Sequence, residues 1–185
     1  MNELKQSLRE TPVVSRGDYE YFVHGVTDGI PPLNPDILRE VAAGLIEVLG
    51  EDRIRDIDKI VAPEAMGIHH GTALSLETDI PLVVIRKREY GFPDEIPVHQ
   101  ETAYGESELY INGLEAGDRV VIVDDVLSSG STIKAVCAGL EEADVDVLEC
   151  LVVLRRVDMD PEELPLEVQS LLDVRVEDGE VVIVE

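Results

Sequence analysis

Two adjacent aspartates, Asp124 and Asp125, follow an apolar run at 120–123 and precede the small residues SSGST at 128–132. Neighbouring carboxylates repel each other and resist the loss of water, so the pair indicates that something binds there. Glycine and other small residues let backbone N–H groups converge on an anion, and the start of a following helix adds partial positive charge. We therefore expect a phosphate at 128–132 and a vicinal diol at the two acids, as in a ribose 5-phosphate.

The same stretch has a simpler interpretation, in which the serines cap a helix and the aspartates favour its N-terminus. Capping alone requires neither two adjacent acids nor five small residues in a row. The stretch also lacks the spacing GxxxxGK that cradles nucleoside triphosphates and the spacing GxGxxG of dinucleotide sites. Those two ligand classes are therefore poor candidates.

Two further segments could contact a charged substrate. The residues APEAMG at 62–67 join a strand to a helix through a tight turn, although an ordinary loop would use proline and glycine in the same way. Arg86, Lys87 and Arg88 are consecutive at the end of a predicted strand. They could form a solvated rim, but in so acidic a chain a local positive cluster is also a docking point for a polyanion.

The chain carries 40 acidic and 15 basic residues, which gives a formal net charge of -25. Regular apolar strands and helices argue against disorder despite this charge. An acidic surface on a folded protein is one signature of adaptation to high salt, where screening relieves self-repulsion. The charge also argues against nucleic acid as a partner, because no long basic face is present to neutralise phosphates.

No run approaches 18 uncharged apolar residues, and the start MNELKQSLRE has the layout of neither a signal peptide nor a transit peptide. We therefore expect a soluble cytoplasmic protein without a membrane partner. Cys137 and Cys150 lie in apolar surroundings without metal-binding spacing, which favours core thiols over a disulfide or a zinc site. No ligand pattern links the four histidines, His24, His69, His70 and His99.

The elements that position these residues alternate between strand and helix. We expect a short helix at 1–10, irregular chain with short strands at 13–33, and a helix that starts at Asn34 and Pro35 and ends at Gly50. Strands are expected at 59–62, 81–86, 119–123 and 145–154, with helices at 67–77 and 132–143 and a closing strand or hairpin around Asp178 and Gly179. This pattern predicts an α/β fold, a parallel sheet flanked by helices on both faces, in a single domain over 1–185. Ligands of such sheets bind beyond the carboxyl ends of the strands, where Asp124 and Asp125 fall.

The stretch VVIVDDVLSSGST resembles the phosphoribosyl pyrophosphate signature of type I phosphoribosyltransferases. IVAPEAMGI, PLVVIRKREYG, YGESELYINGLEAGDRV and YFVHGVTDGIPPL resemble the purine enzymes of that family, closest to the archaeal hypoxanthine/guanine type and more loosely to the adenine type. The resemblance covers nearly the whole chain. It implies the type I phosphoribosyltransferase fold, with a small N-terminal hood at 13–33 and a flexible flap at 86–105.

The resemblance also implies roles for individual residues. Asp124 and Asp125 would hold the ribose hydroxyls, and Lys87 and Arg88 the pyrophosphate. The segment around Ala65 and Met66 would be the pyrophosphate loop, in which family members often carry a cis peptide. The residues implied to bind the 5'-phosphate are Ser128, Ser129, Gly130, Ser131 and Thr132, and those implied around the purine are Val126, Leu127, Phe22 and Val23.

Two positions depart from the adenine-type pattern. Many adenine-type relatives have an arginine where Met66 stands, which shifts diphosphate binding towards backbone amides or basic residues elsewhere. They also place a glutamate where this chain has Ala103. Glu101 and Asp125 remain as the two candidates for the general acid/base.

The implied reaction transfers the phosphoribosyl group from phosphoribosyl pyrophosphate to a purine, with hypoxanthine or guanine favoured and adenine as the alternative. Mg²⁺ would be held mainly through substrate oxygens, with no direct protein ligand. The family commonly forms homodimers. A non-enzymatic regulator that senses phosphoribosyl pyrophosphate is a further alternative, but nothing before Val13 is long or basic enough for the DNA-binding helical domain that such regulators add.

Overall fold

The computed structural model of the protein describes residues 1–16, 19–102, 105–161 and 163–184, with residues 16, 19, 100–102 and 105–107 described by their backbone alone. The elements in chain order are α1 (Asn2–Arg9), β1 (Val13–Arg16), β2 (Tyr19–Phe22), α2 (Gly25–Asp28), α3 (Pro35–Ile54), β3 (Lys59–Pro63), α4 (Gly67–Thr78), β4 (Leu82–Ile85), β5 (Ile96–Thr102), β6 (Gly105–Ile111), β7 (Arg119–Leu127), α5 (Ser131–Glu142), β8 (Asp146–Arg156), β9 (Val168–Glu177) and β10 (Glu180–Val184).

The main sheet has six strands in the order β10-β9-β8-β7-β3-β4. The pairs from β4 to β9 are parallel, and β10 returns antiparallel to β9. Asp178 and Gly179 form the tight turn between β9 and β10, both with positive φ. The predicted parallel sheet and the predicted closing hairpin are therefore confirmed.

Alternate residues of β7 face two separate apolar clusters. Val121 and Val123 pack with α1, α3 and α4 on one side of the sheet, whereas Val120 and Ile122 pack with α5 and the β5–β6 hairpin on the other. A strand buried on both faces is the arrangement that a continuous apolar run predicts. Cys137 and Cys150 are free and buried, as expected of core thiols.

The N-terminus of α3 has the predicted cap. The Asn34 side-chain oxygen accepts a hydrogen bond from the Asp36 amide at 2.9 Å, and Pro35 takes the first helical position. Gly50 interrupts the helix as predicted, because its backbone is non-helical (φ 72, ψ 152). A short helical segment follows this kink and extends α3 to Ile54.

Two antiparallel pairs lie outside the main sheet. β1 and β2 form one pair near the N-terminus and are followed by the one-turn helix α2, in agreement with the short strands expected at 13–33. β5 and β6 form the second, with Ile96 opposite Ile111. This hairpin was not predicted within the flap segment, of which residues 103–104 lie outside the described chain. No helix among the described residues is long and apolar enough to cross a membrane.

Candidate active site

The acid pair lies near the carboxyl end of β7. Asp124 is buried, with 8% of its surface exposed, and Asp125 is half-buried. The Asp125 amide donates a hydrogen bond to Asp124 Oδ1 at 2.9 Å. The strand does not end at Val123 as predicted from the sequence, because its pairing with β8 continues to Leu127. Both acids are therefore held on a sheet strand rather than on a free loop.

Burial perturbs both carboxyl groups. It raises the pKa of Asp124, and the hydrogen bonds from Asp125 and the nearby charge of Lys87 offset only part of the rise. Burial, followed by repulsion from Asp124, raises the pKa of Asp125 to about 9. Two carboxyl groups this close cannot both ionise easily away from water. Burial therefore favours a proton shared by the two carboxyl groups at neutral pH, and a cation bound beside them would favour its loss.

The small-residue stretch 128–132 connects β7 to α5. Gly130 occupies the N-cap of α5 with φ 79 and has no side chain to bond the first turn. Behind it lies Leu164, whose Cδ2 would be 3.1 Å from a Cβ at this position. The exposed Ser129 places its hydroxyl 3.1 Å from the Ser131 hydroxyl. Since the N-cap residue is a glycine, the interpretation that this stretch serves only to cap a helix is the weaker one, and an anion site remains.

The turn from β3 into α4 packs directly against the acid pair. The Glu64–Ala65 peptide is cis, Ala65 is exposed and Met66 is half-buried. Gly67 begins α4 so close to β7 that a Cβ there would lie 2.9 Å from Asp124 Oδ1. The backbone of this turn therefore forms one wall beside the two acids.

The three consecutive basic residues have different surroundings. Arg86 Nε donates to Glu64 Oε2 at 2.8 Å, and the Lys87 amide approaches the same oxygen at 3.3 Å. Lys87 and Arg88 have exposed side chains. The Lys87 charge acts on Asp124, whereas the Arg88 guanidinium lies over the Tyr90 ring at 5.4 Å. The cluster thus places Lys87 nearest to the acids and uses Arg86 to fix the β3–α4 turn.

A cavity of about 230 Å³ lies between the acid pair and the N-terminal segment. Its lining residues are Tyr21, Phe22, Thr27, Asp28, Asp125, Val126, Ser128 and Arg156. Val23 is half-buried and lies outside this lining, and Leu127 belongs to the apolar cluster on the other side of the sheet. The structure thus brings Phe22, Val126 and Asp125 together around one space.

Arg156 is a lining residue that the sequence reasoning missed. Its guanidinium is 6% exposed, forms two 2.7 Å hydrogen bonds to Asp158, and lies 5.7 Å from the centre of the Phe22 ring. The two adjacent arginines at the end of β8 were the only available sequence signal. Nothing local to them indicates contact with residue 22.

The phosphoribosyl transferase domain family matches residues 33–184 of the chain. This chain belongs to that family. It is 60% identical over 185 residues to HGPRTase-like protein 3 of Haloterrigena turkmenica, covering 100% of this chain and 98% of the relative.

Solved structures share the fold. Adenine phosphoribosyltransferase of Rhodothermus marinus has a TM-score of 0.72 at 25% identity, covering 93% of this chain and 97% of that one. The Saccharomyces cerevisiae adenine enzyme, complexed with an imino-altritol bisphosphate and adenine, has a TM-score of 0.75 at 24% identity, covering 92% and 97%. The predicted family, the α/β fold and the prediction of a phosphoribosyltransferase enzyme are confirmed.

Two expectations about this phosphoribosyltransferase concern its proton and metal chemistry. Glu101 has only its backbone described, within β5, so its side chain lies outside the described residues. Of the two acid/base candidates, Asp125 is the one whose side chain the structure describes. No cluster of three or more metal-binding side chains occurs among the described residues.

Proposed function

We propose that the enzyme transfers the phosphoribosyl group of phosphoribosyl pyrophosphate to a purine, with hypoxanthine and guanine favoured, and releases diphosphate and a nucleoside 5'-monophosphate. One observation carries this proposal. The cavity of about 230 Å³ beneath the N-terminal segment is lined by Asp125, Val126 and Ser128, so it adjoins both the acid pair and the stretch 128–132 at the start of α5. A flat base, a ribose and a phosphate would occupy the cavity, the acid pair and this stretch, respectively.

The 5'-phosphate would bind at the first turn of α5. The residues proposed for it are Ser128, Ser129, Gly130, Ser131 and Thr132. Gly130 as N-cap leaves the approach open, and the Ser129 and Ser131 hydroxyls lie side by side at 3.1 Å. Backbone amides, hydroxyls and the helix dipole all favour a dianion there.

The ribose would lie over Asp124 and Asp125. Their carboxyl oxygens can accept hydrogen bonds from the two vicinal hydroxyls, and both acids are fixed by the pairing of β7 with β8. The diphosphate would then lie towards Ala65 and Met66, where the turn backbone adjoins Asp124. Lys87 and Arg88 would supply positive charge on the exposed side.

The base would occupy the cavity between Val126 and Phe22, whose ring offers a flat apolar surface. Val23 and Leu127, which do not line the cavity, would contribute through their backbones. This arrangement directs a purine ring nitrogen at C1 of the ribose, which is the geometry that displacement requires.

In the proposed reaction the ring nitrogen forms a bond to C1 as the C1–O bond to diphosphate breaks. The nitrogen loses its proton, which an ionised Asp125 or Glu101 accepts, and the bonding electrons leave with the diphosphate. Since the free acid pair holds a proton, substrate binding must first remove it before Asp125 can act as a base.

Mg²⁺ is the proposed cofactor. Two adjacent carboxyl groups are hard oxygen donors, but two donors are too few for a site made by protein alone. This donor set fits an ion held mainly through substrate oxygens. When bound, Mg²⁺ would neutralise charge on the departing diphosphate.

The sequence relatives and the solved structures favour different purine bases. The 60% identical relative is an HGPRTase-like protein, which favours hypoxanthine and guanine. The similar solved structures are adenine enzymes, which keeps adenine as the second candidate. A pocket discriminates these bases by a few hydrogen bonds at the purine 6-position.

The proposal also covers the salt concentration, the cell compartment and the oligomeric state in which the enzyme works. The net charge of -25 and the relative in Haloterrigena turkmenica support function at high salt. We propose a cytoplasmic enzyme that acts as a homodimer, as is common in the family.

The test is nucleotide formation in molar KCl with Mg²⁺ and phosphoribosyl pyrophosphate, with adenine, hypoxanthine, guanine and xanthine assayed separately. We expect product from hypoxanthine and guanine, little from adenine, and loss of at least about 100-fold in the Asp125→Asn variant. Asp146→Asn, an exposed acid at the start of β8, is the matched control and should retain activity.

Product from adenine alone would overturn the base preference and leave the reaction intact. Failure with all four bases, together with tight binding of phosphoribosyl pyrophosphate, would overturn the reaction itself and favour a sensor.

A further inference from the structure

The one-turn helix α2 shapes the cavity. Its last two residues, Thr27 and Asp28, line the cavity opposite Asp125. A helix of four residues is not stable by itself, because nucleation costs more than one turn returns. The contacts that hold α2 from outside therefore decide where this wall of the cavity lies.

Two buried histidines hydrogen-bond to the backbone of one residue of α2, Val26. The Val26 amide donates to His24 Nδ1 at 3.2 Å, and the Val26 carbonyl lies 2.8 Å from His70 Nε2. Val26 and His70 are fully buried, and His24 is 4% exposed. The bond from His70 spans 44 residues of sequence and joins α2 to α4.

The partners fix the proton positions on both rings. A carbonyl only accepts, so His70 must donate through Nε2–H. Its Nδ1 then carries no proton, which agrees with the buried surroundings of that atom and the absence of a partner for it among the described residues. His24 accepts at Nδ1, so its Nε2–H donates to the Ser7 hydroxyl at 2.9 Å.

Both rings are neutral at working pH. Burial lowers the pKa of His70 to about 4, an effect that its bond to Val26 opposes and the nearby His69 reinforces. Burial also lowers the pKa of His24, although Asp28 acts in the opposite direction. The bond between His70 and α2 is therefore present throughout the neutral range.

The helix that carries His70 also carries the other half of the site. α4 begins at Gly67, against Asp124, and His70 follows one turn later. At the end of α2, Gly29 lies beside the Met66 side chain, which a Cβ on Gly29 would meet at 4.0 Å. One rigid helix thus contacts both the acid pair and the wall of the cavity.

We propose that His70 is a positioning residue for the base: by holding the Val26 carbonyl it fixes α2 relative to α4, and so sets the distance between the cavity wall and Asp125. The inference rests on the proposed function only in treating the cavity as the base site. His70 itself lines no part of the cavity, so it acts through α2 and not on the substrate.

The kinetic test compares His70→Met with His70→Gln. Methionine fills the space without a donor and leaves the buried Val26 carbonyl unpaired, whereas the glutamine side-chain amide can donate to it from a similar position. We expect His70→Met to raise the KM for the purine about tenfold with the KM for phosphoribosyl pyrophosphate within about twofold. His70→Gln should recover most of the loss, and His69→Met, on the exposed neighbour, should behave as wild type.

A second measurement does not depend on activity. Hydrogen exchange at the amides of 26–29, which close the turn of α2, should be at least about fivefold faster in His70→Met and near wild type in His70→Gln. An unchanged purine KM, or equal rises in both KM values, would overturn the inference even if exchange is faster. A wild type inactive with every base would overturn the proposed function instead, and exchange alone would then decide the role of His70 in holding α2.

Discussion

Replacing Gly67 by alanine would test whether the close packing of α4 positions the acid pair. A Cβ at this residue would lie 2.9 Å from both Asp124 Oδ1 and the Val123 carbonyl, and 3.1 Å from Pro63 Cδ. Ordinary van der Waals contact begins at 3.4 Å, so the neighbouring atoms must give way by about half an ångström. The Val123 carbonyl belongs to a paired strand, and the Asp124 carboxyl is the group with more freedom to move.

Two effects of different size follow from this displacement. Overpacking a buried site typically costs about 1 to 3 kcal/mol of stability. A misplacement of 1 Å at a reacting centre costs up to about 100-fold in rate, so half an ångström should lower kcat/KM for phosphoribosyl pyrophosphate about tenfold. Since folded domains are typically stable by about 5 to 15 kcal/mol, a loss of this size leaves most molecules folded. Partial unfolding would therefore not explain a tenfold loss of activity.

Gly71→Ala is the matched control on the same helix. Its Cβ would lie 2.8 Å from Ala62 Cβ and 2.9 Å from Leu82 Cδ1, against the sheet and away from the acids. Denaturant unfolding should give similar losses of stability for the two variants. Steady-state kinetics under conditions where both are folded should show the activity loss in Gly67→Ala alone, and equal activities in the two variants would refute the reasoning.

Four further outcomes follow from the structure. Because the pKa of Asp125 is raised to about 9, the free energy of unfolding of the wild type should fall as pH rises from about 4 to 9. The free energy of unfolding of Asp125→Asn, which has no carboxyl to ionise there, should rise relative to that of the wild type by up to about 1.4 kcal/mol per pH unit, and a constant difference would contradict this. Binding of phosphoribosyl pyrophosphate with Mg²⁺ at pH 7.5 should release about one proton, measured by calorimetry in two buffers, whereas buffer-independent heats would contradict ionisation of the pair. Gly139→Ala would place a Cβ in overlap with Val98 Cγ2 and should cost about 2 kcal/mol in denaturant unfolding, of which an added Val98→Ala should recover more than half; additive losses would argue against the contact. The melting temperature should rise most steeply with KCl up to about 1 M, where the Debye length falls to about 3 Å, and a flat profile would remove the salt hypothesis.

The parts of the fold that sequence predicted are those set by local chemistry. Apolar runs became the parallel strands, Asn34 and Pro35 started α3, and an Asp-Gly pair turned the last hairpin. Each of these signals acts over a few residues. The acid pair was predicted in the same way, since it directly follows the apolar run at 120–123.

What sequence missed depends on neighbours that are distant along the chain. The sequence of β5 and β6 is rich in polar residues and gave no strand prediction, although Ile96 and Val98 alternate inward. Strand pairing through Asp124 and Asp125 overrides the low strand propensity of aspartate. The role of His70 rests on a partner 44 residues away, which no local pattern indicates.

The β5–β6 hairpin has a consequence for how the protein opens. Its strands pair with each other, and among the described residues they join the main sheet at the isolated bridge between Arg86 and Tyr110. The hairpin can therefore unfold locally as a cooperative unit at a free energy below that of the whole domain, exposing one side of α5 as it leaves. Because the first turn of α5 is also the proposed phosphate site, a substrate that stabilises this turn would suppress the opening by mass action. Substrate would then protect the hairpin from proteases by stabilising the helix on which it packs.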